Sequence, residues 1–138
     1  MNEKIKMSWR FGVANWILCG SLKKVIVEVI DNLEIFLSIS NWPTEPGVYV
    51  DIAPIENQLL VRSVDILLAY LTKNEGSFRF WLANFVCKHK LREMLKTAMY
   101  SIFDTTESIV SNDWSVGFDS IRAVRFSLAY VKCIIDDI

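Results

Sequence analysis

The sequence predicts an all-α fold: a compact bundle of about six or seven helices with one long loop containing proline and glycine. Three observations carry this. Apolar residues recur at three- and four-residue spacing through most of the chain, as they do on the buried face of a helix. Only one long stretch, residues 39–53, holds the Pro43, Pro46 and Gly47 that exclude regular helix. Hydrophobic residues make up 52% of the chain, enough for a dense core with apolar surface left over for an interface. At 138 residues, one helical domain covering 1–138 is expected.

The elements follow in order. A first helix over Ser8–Cys19 has a stripe of Trp9, Val13, Trp16 and Ile17 and stops at Gly20. Gly12 inside it invites close approach of another helix. A second helix over Leu22–Ser38, with Ser21 as N-cap, buries Val25, Ile26, Val29, Ile30, Leu33, Phe36 and Leu37. Glu28, Asp31 and Glu34 form a row of carboxylates on its other face. In the loop that follows, the run Val48–Ile52 reads as a short extended segment at a sheet edge.

The third helix, Pro54–Lys73, organises the rest. Proline suits its first position, Glu56 its first turn and Lys73 its last. Ile55, Leu59, Leu60, Val64, Leu67, Leu68 and Leu71 predict one broad buried face. Asn74-Glu75-Gly76 ends it. A fourth helix from Ser77 holds Phe78, Phe80, Trp81, Leu82, Phe85 and Val86, with Phe78, Trp81 and Phe85 read as a buried stripe. A fifth over Lys90–Phe103 turns Leu91, Met94, Leu95, Ala98, Met99 and Ile102 inward. Nothing between the two forces a break, so they read equally as one helix. Asp104-Thr105-Thr106-Glu107 resembles a capping box and predicts a short helix over Thr105–Ser111. The last helix spans Asp119–Asp136, with Ile121, Val124, Leu128, Val131 and Ile135 in rhythm. No internal repeat is expected.

Composition excludes several functions. The longest uncharged run, Phe11–Leu22, is too short for a membrane span of about 20 residues. No signal peptide is evident, so a cytoplasmic protein without a membrane partner is expected. Cys19, Cys87 and Cys133 are odd in number, far apart and without a Cys–His cluster. They read as buried free thiols, with no metal and no cofactor. His89, the single histidine, lies between Lys88 and Lys90, which does not suit a catalytic base, and a Cys87–His89 pair at i, i+2 would point to different faces of a helix. The five glycines are scattered and form no phosphate loop. An enzyme is not expected. Nor is nucleic-acid binding: the basic residues from Arg79 to Lys96 are interleaved with aromatics, but the pI is about 5.8.

The compositional anomaly is charge distribution. Net charge is only −1, yet residues 25–60 hold Glu28, Asp31, Glu34, Glu45, Asp51 and Glu56 and no Lys or Arg. Trp42 and Tyr49 lie among these acids. Aromatic anchors ringed by carboxylates suit capture of a basic protein, with the charges steering the encounter. A short, helical, disulfide-free chain with this surface resembles the immunity proteins of bacterial toxin systems, including contact-dependent inhibition. The resemblance implies a non-catalytic inhibitor that occludes the active site of a basic toxin, such as a nuclease. It implies contact through Glu28, Asp31, Glu34, Trp42, Glu45, Tyr49, Asp51 and Glu56. The near-zero net charge departs from the more acidic members. The alternative is a helical adaptor or a homo-oligomeric structural protein.

Overall fold

The computed structural model describes residues 5–39 and 42–138. Helix accounts for 74% of the chain. The order is α1 (Trp9–Ile17), α2 (Ser21–Ser38), β1 (Tyr49–Asp51), α3 (Pro54–Asn74), α4 (Phe78–Val86), α5 (Leu91–Ser111), β2 (Ser115–Gly117) and α6 (Phe118–Asp137). The four long helices form the bundle: α2 packs on α3, α3 on α5, α5 on α6, and α6 on α2. The short helices α1 and α4 pack on each other at one end. At the other end β1 and β2 pair antiparallel, with Val50 opposite Val116. One apolar core runs from Phe11 to Ile138 and draws on every helix.

The inward residues predicted for α2, α5 and α6 are buried or half-buried. Other expectations are corrected. Cys87 to Lys90 break α4 from α5, because Lys88 and His89 adopt left-handed backbone conformations (φ 59° and 62°) that no helix continues through. The predicted short helix over Thr105–Ser111 is instead the end of α5. Thr105 and Thr106 turn their hydroxyls back onto the carbonyls of Ser101 and Phe103 rather than capping a new start. Gly20, not Ser21, precedes α2 as its N-cap. The extended segment at 49–51 does form, and its partner is the stretch after α5.

Three apolar stripes are not buried as predicted, in part or whole. On α3, Ile55 and Leu68 face solvent. On α1 and α4, Trp9, Val13, Trp16, Phe78, Trp81 and Phe85 all face solvent; the buried side is Phe11 and Ala14, Phe80 and Ala83. Each of these helices is only nine residues long. A helix so short offers the core little more than one ridge, and the larger aromatics fall on the other side. Gly12 meets nothing within 4 Å, so the close approach is left to the alanines.

The structure also overturns the absence of a repeat. The halves α1-α2-β1-α3 and α4-α5-β2-α6 have the same element order. Ser8, Arg10, Phe11, Ala14 and Asn15 recur as Ser77, Arg79, Phe80, Ala83 and Asn84 at one constant offset. Their bonds recur too. Ser8 and Ser77 accept from the amides of Phe11 and Phe80 at 3.2 and 3.1 Å, capping α1 and α4. Asn15 and Asn84 accept from the amides of Lys23 and Arg92 at 2.8 and 2.9 Å, closing the first turns of α2 and α5. Arg10 donates to the carbonyl of Val86 while Arg79 donates to that of Ile17. Each cation thus sits on the other helix's C-terminal end, where the helix dipole favours it. These reciprocal bonds, with β1 paired to β2, describe an approximate two-fold relating the halves. Elsewhere the burial pattern repeats: Leu60, Ser63 and Leu67 of α3 correspond to Val124, Ser127 and Val131 of α6, all buried, and both serines donate to the carbonyl four residues back.

Candidate functional site

The connectivity gives the molecule two chemically different ends. Both α2 and α5 run from the α1–α4 end to the strand end, and α3 and α6 return. The strand end therefore collects the loop, the strands, the start of α3 and the end of α5. The acid-rich stretch 25–60 has a counterpart that the sequence reading missed. Residues 97–121 contain Asp104, Glu107, Asp113 and Asp119 and no Lys or Arg. The ladder of β1 and β2 brings the two stretches together. Seven acids, Glu45, Asp51, Glu56, Asp104, Glu107, Asp113 and Asp119, thus share one tip supplied by segments without a basic side chain. The signal was present as a second base-free run, but only strand pairing made it one surface.

The predicted contact residues separate into groups. Glu45 and Tyr49 are exposed at the tip, Tyr49 at 60%. The Tyr49 ring lies over Gly117, its cross-strand partner; a Cβ there would stand 2.8 Å from the ring. Glycine at this position therefore lets the tyrosine lie flat on the ladder as an exposed aromatic. Asp51 accepts a 2.9 Å bond from the Ser115 hydroxyl, tying the strands together. Glu56 accepts from the Ala53 amide at 3.3 Å and closes the start of α3. Both remain on the tip, with some of their hydrogen-bonding capacity used internally.

The other four lie away from it or turn inward. Trp42 packs on Phe36 with ring centroids 4.8 Å apart and its indole N–H buried. It is a strut between loop and core, not a contact anchor. Glu28, Asp31 and Glu34 lie back along α2, and Glu34 pairs with Lys132 at 2.7 Å. Exposed Val48, Ile55 and Val110 add apolar area to the tip.

The opposite end is aromatic and basic. Trp9, Trp16, Phe78, Trp81 and Phe85 are between 55% and 79% exposed. Phe78, Trp81 and Phe85 stack in series along α4, with centroids 5.6 and 5.9 Å apart. Trp16 and Phe78 line the two sides of one broad groove between α1 and α4. Lys23, Lys24, Lys88 and Lys90 follow the two short helices and are exposed. The sequence reading placed the α4 aromatics in the core, because their three- and four-residue spacing is the same for an inward and an outward face.

Among the described residues no three metal-ligating side chains converge. His89 is exposed and packs edge-on against Phe85, not against a nucleophile. Of the thiols, Cys19 and Cys133 are exposed, contrary to expectation, and Cys87 is buried. Burial pushes the Cys87 thiol up to about 11, against a smaller lowering by Arg10. At pH 8 a thiol reagent is therefore expected to label Cys19 and Cys133 in the native protein, and Cys87 only after denaturation. Mass spectrometry of the labelled protein checks this. No known family model, curated protein or solved structure matches this chain.

Proposed function

We propose that this chain is a non-catalytic inhibitor of the immunity type. It captures a basic partner protein, a toxin such as a nuclease, and occludes its active cleft with the acidic tip. One observation carries the reading: two base-free acidic stretches meet across the β1–β2 ladder around an exposed Tyr49. Clustered acids, of which Asp119 pairs with Arg122 at 3.8 Å and the others have no ion pair among the described residues, raise the association rate of a basic partner, and an aromatic at the centre supplies the tightly packed contact. The surface is presented by a ladder and helix ends tied to the core, so little ordering cost opposes binding.

The test begins with capture of the partner from lysate of the native host and its identification. Replacing Glu45, Asp51 and Asp113 with lysine is expected to slow association by roughly 10- to 1,000-fold at low salt. The difference should shrink at high salt, where screening is shorter than about 8 Å. Stopped-flow or surface-plasmon measurements check both. Unchanged association after the triple reversal removes the acidic tip from the interface. A helical adaptor is the second reading, favoured by the presence of two ends of opposite chemistry on one rigid bundle.

A further inference from the structure

We propose that the α1–α4 end docks on an anionic phospholipid surface. The inference goes beyond the inhibitor reading and uses the opposite end of the molecule, so either can fail alone.

The face is built of two short antiparallel helices lying side by side, each about 14 Å long. Its outward residues are Trp9, Val13 and Trp16 from α1 and Phe78, Trp81 and Phe85 from α4. They project from one broad face that spans both helices. An exposed apolar patch of this size normally has a partner. Large aromatics on one side of a surface helix, with lysines beside them, is the composition of helices that lie in the headgroup region of a bilayer.

The rim chooses among occupants. Lys23, Lys24, Lys88 and Lys90 flank the aromatics, and none forms an ion pair among the described residues. Among the described residues, Glu75 at this end is already held by Arg92 and Lys96; Glu93, Asp136 and Asp137 also lie here, and Glu28 and Asp31 share a groove with Lys23 and Lys24. A second copy meeting this face about a two-fold axis would set lysines against lysines. A protein interface would be poor in lysine, which is depleted from such contacts. Lipid phosphates and carboxylates accept lysine without fixing its long side chain, each contributing modestly and independently. The two arginines nearest the aromatics are committed to the carbonyls of Val86 and Ile17, so lysines supply the free charge.

Surface docking needs no spanning segment, and none of the described helices is long and apolar enough to cross a membrane. It does depart from the sequence expectation of no membrane partner. That expectation rests on the lack of a spanning run; the exposed aromatics of α1 and α4 bear on surface docking instead.

The test uses the full chain with vesicles of phosphatidylcholine, with and without phosphatidylserine. Co-sedimentation with the phosphatidylserine vesicles and a blue shift of tryptophan emission are expected, both reduced by salt. Trp16→Ala with Trp81→Ala should abolish binding; both side chains are more than half exposed, so the fold is retained, which thermal denaturation checks. Lys88→Ala with Lys90→Ala should weaken binding about 30-fold. Reversal of Glu45 and Asp51 should not reduce it. No binding to phosphatidylserine vesicles, or equal binding to phosphatidylcholine alone, overturns the proposal. So does a dimer in sedimentation equilibrium that Trp16→Ala dissociates, since a second copy would then cover the face.

Discussion

Replacing Phe80 with alanine is expected to destabilise the protein by about 3–5 kcal/mol, and Phe11→Ala by a similar amount. Both rings are essentially without exposure and occupy equivalent positions in the two halves. Each is the large residue on the single buried ridge of a nine-residue helix. A helix of that length has little stability of its own. Its attachment depends on that ring, the adjacent alanine and the reciprocal arginine bond. The contrast is with Trp81→Ala, one residue away on the same helix. That side chain faces solvent, and its loss should change stability by less than about 1 kcal/mol. Chemical denaturation of the three variants measures the difference. A Trp81→Ala variant as unstable as Phe80→Ala would show that the aromatic face is structural.

Cutting the chain at Gly76, in the exposed turn between α3 and α4, tests the repeat itself. Each half alone is expected to lose its cooperative thermal transition, and the two halves mixed in equal amounts are expected to recover it. The reason lies in which contacts cross the cut. The α1–α4 pair, the α3–α5 and α2–α6 packing and the β1–β2 ladder all join one half to the other. Within a half, the main packing is α2 on α3 or α5 on α6. A two-helix layer of about 70 residues leaves its second face in water, and chains of that size bury proportionately little surface. Circular dichroism melts and size-exclusion chromatography of the halves, separate and mixed, read the outcome. A cooperative melt from one half alone would mean that the core divides at the repeat boundary.

The same arrangement explains why the repeat was not legible. Sequence identity is concentrated in α1, α4 and the turns after them: the arginines bond across the two-fold, while the serine caps and the two asparagines make the same local bond within each half. There the same chemistry is required twice. Along α3 and α6 the constraint is only volume and burial, so Leu67 and Val131 serve one role with different residues. Gly20 and His89 make the same left-handed turn after α1 and after α4. Glycine does so freely and histidine at a conformational cost, so even the turn signal was visible in only one half.

Much of the candidate site was legible in part. Glu45, Tyr49, Asp51 and Glu56 lie on the acidic tip as a local group, because they are close in sequence. Their partners Asp104, Glu107, Asp113 and Asp119 come from the other half and could be joined to them only by the ladder. Trp42 fails for a different reason. An aromatic among polar loop residues reads as exposed, and only the position of Phe36 shows that the ring is drawn inward.

What the sequence determined by itself was the periodic content: the all-helical class, the faces of α2, α5 and α6, the loop at 39–53 and the local excess of acids. These depend on residues a few positions apart, whose relation is set by the geometry of one turn. What only the tertiary structure decided was which of two apolar faces turned inward on α1 and α4, where α5 ended, and which distant acids shared a surface. Those depend on what each helix packs against. Hydrophobic burial has no direction of its own; the neighbouring helix supplies it.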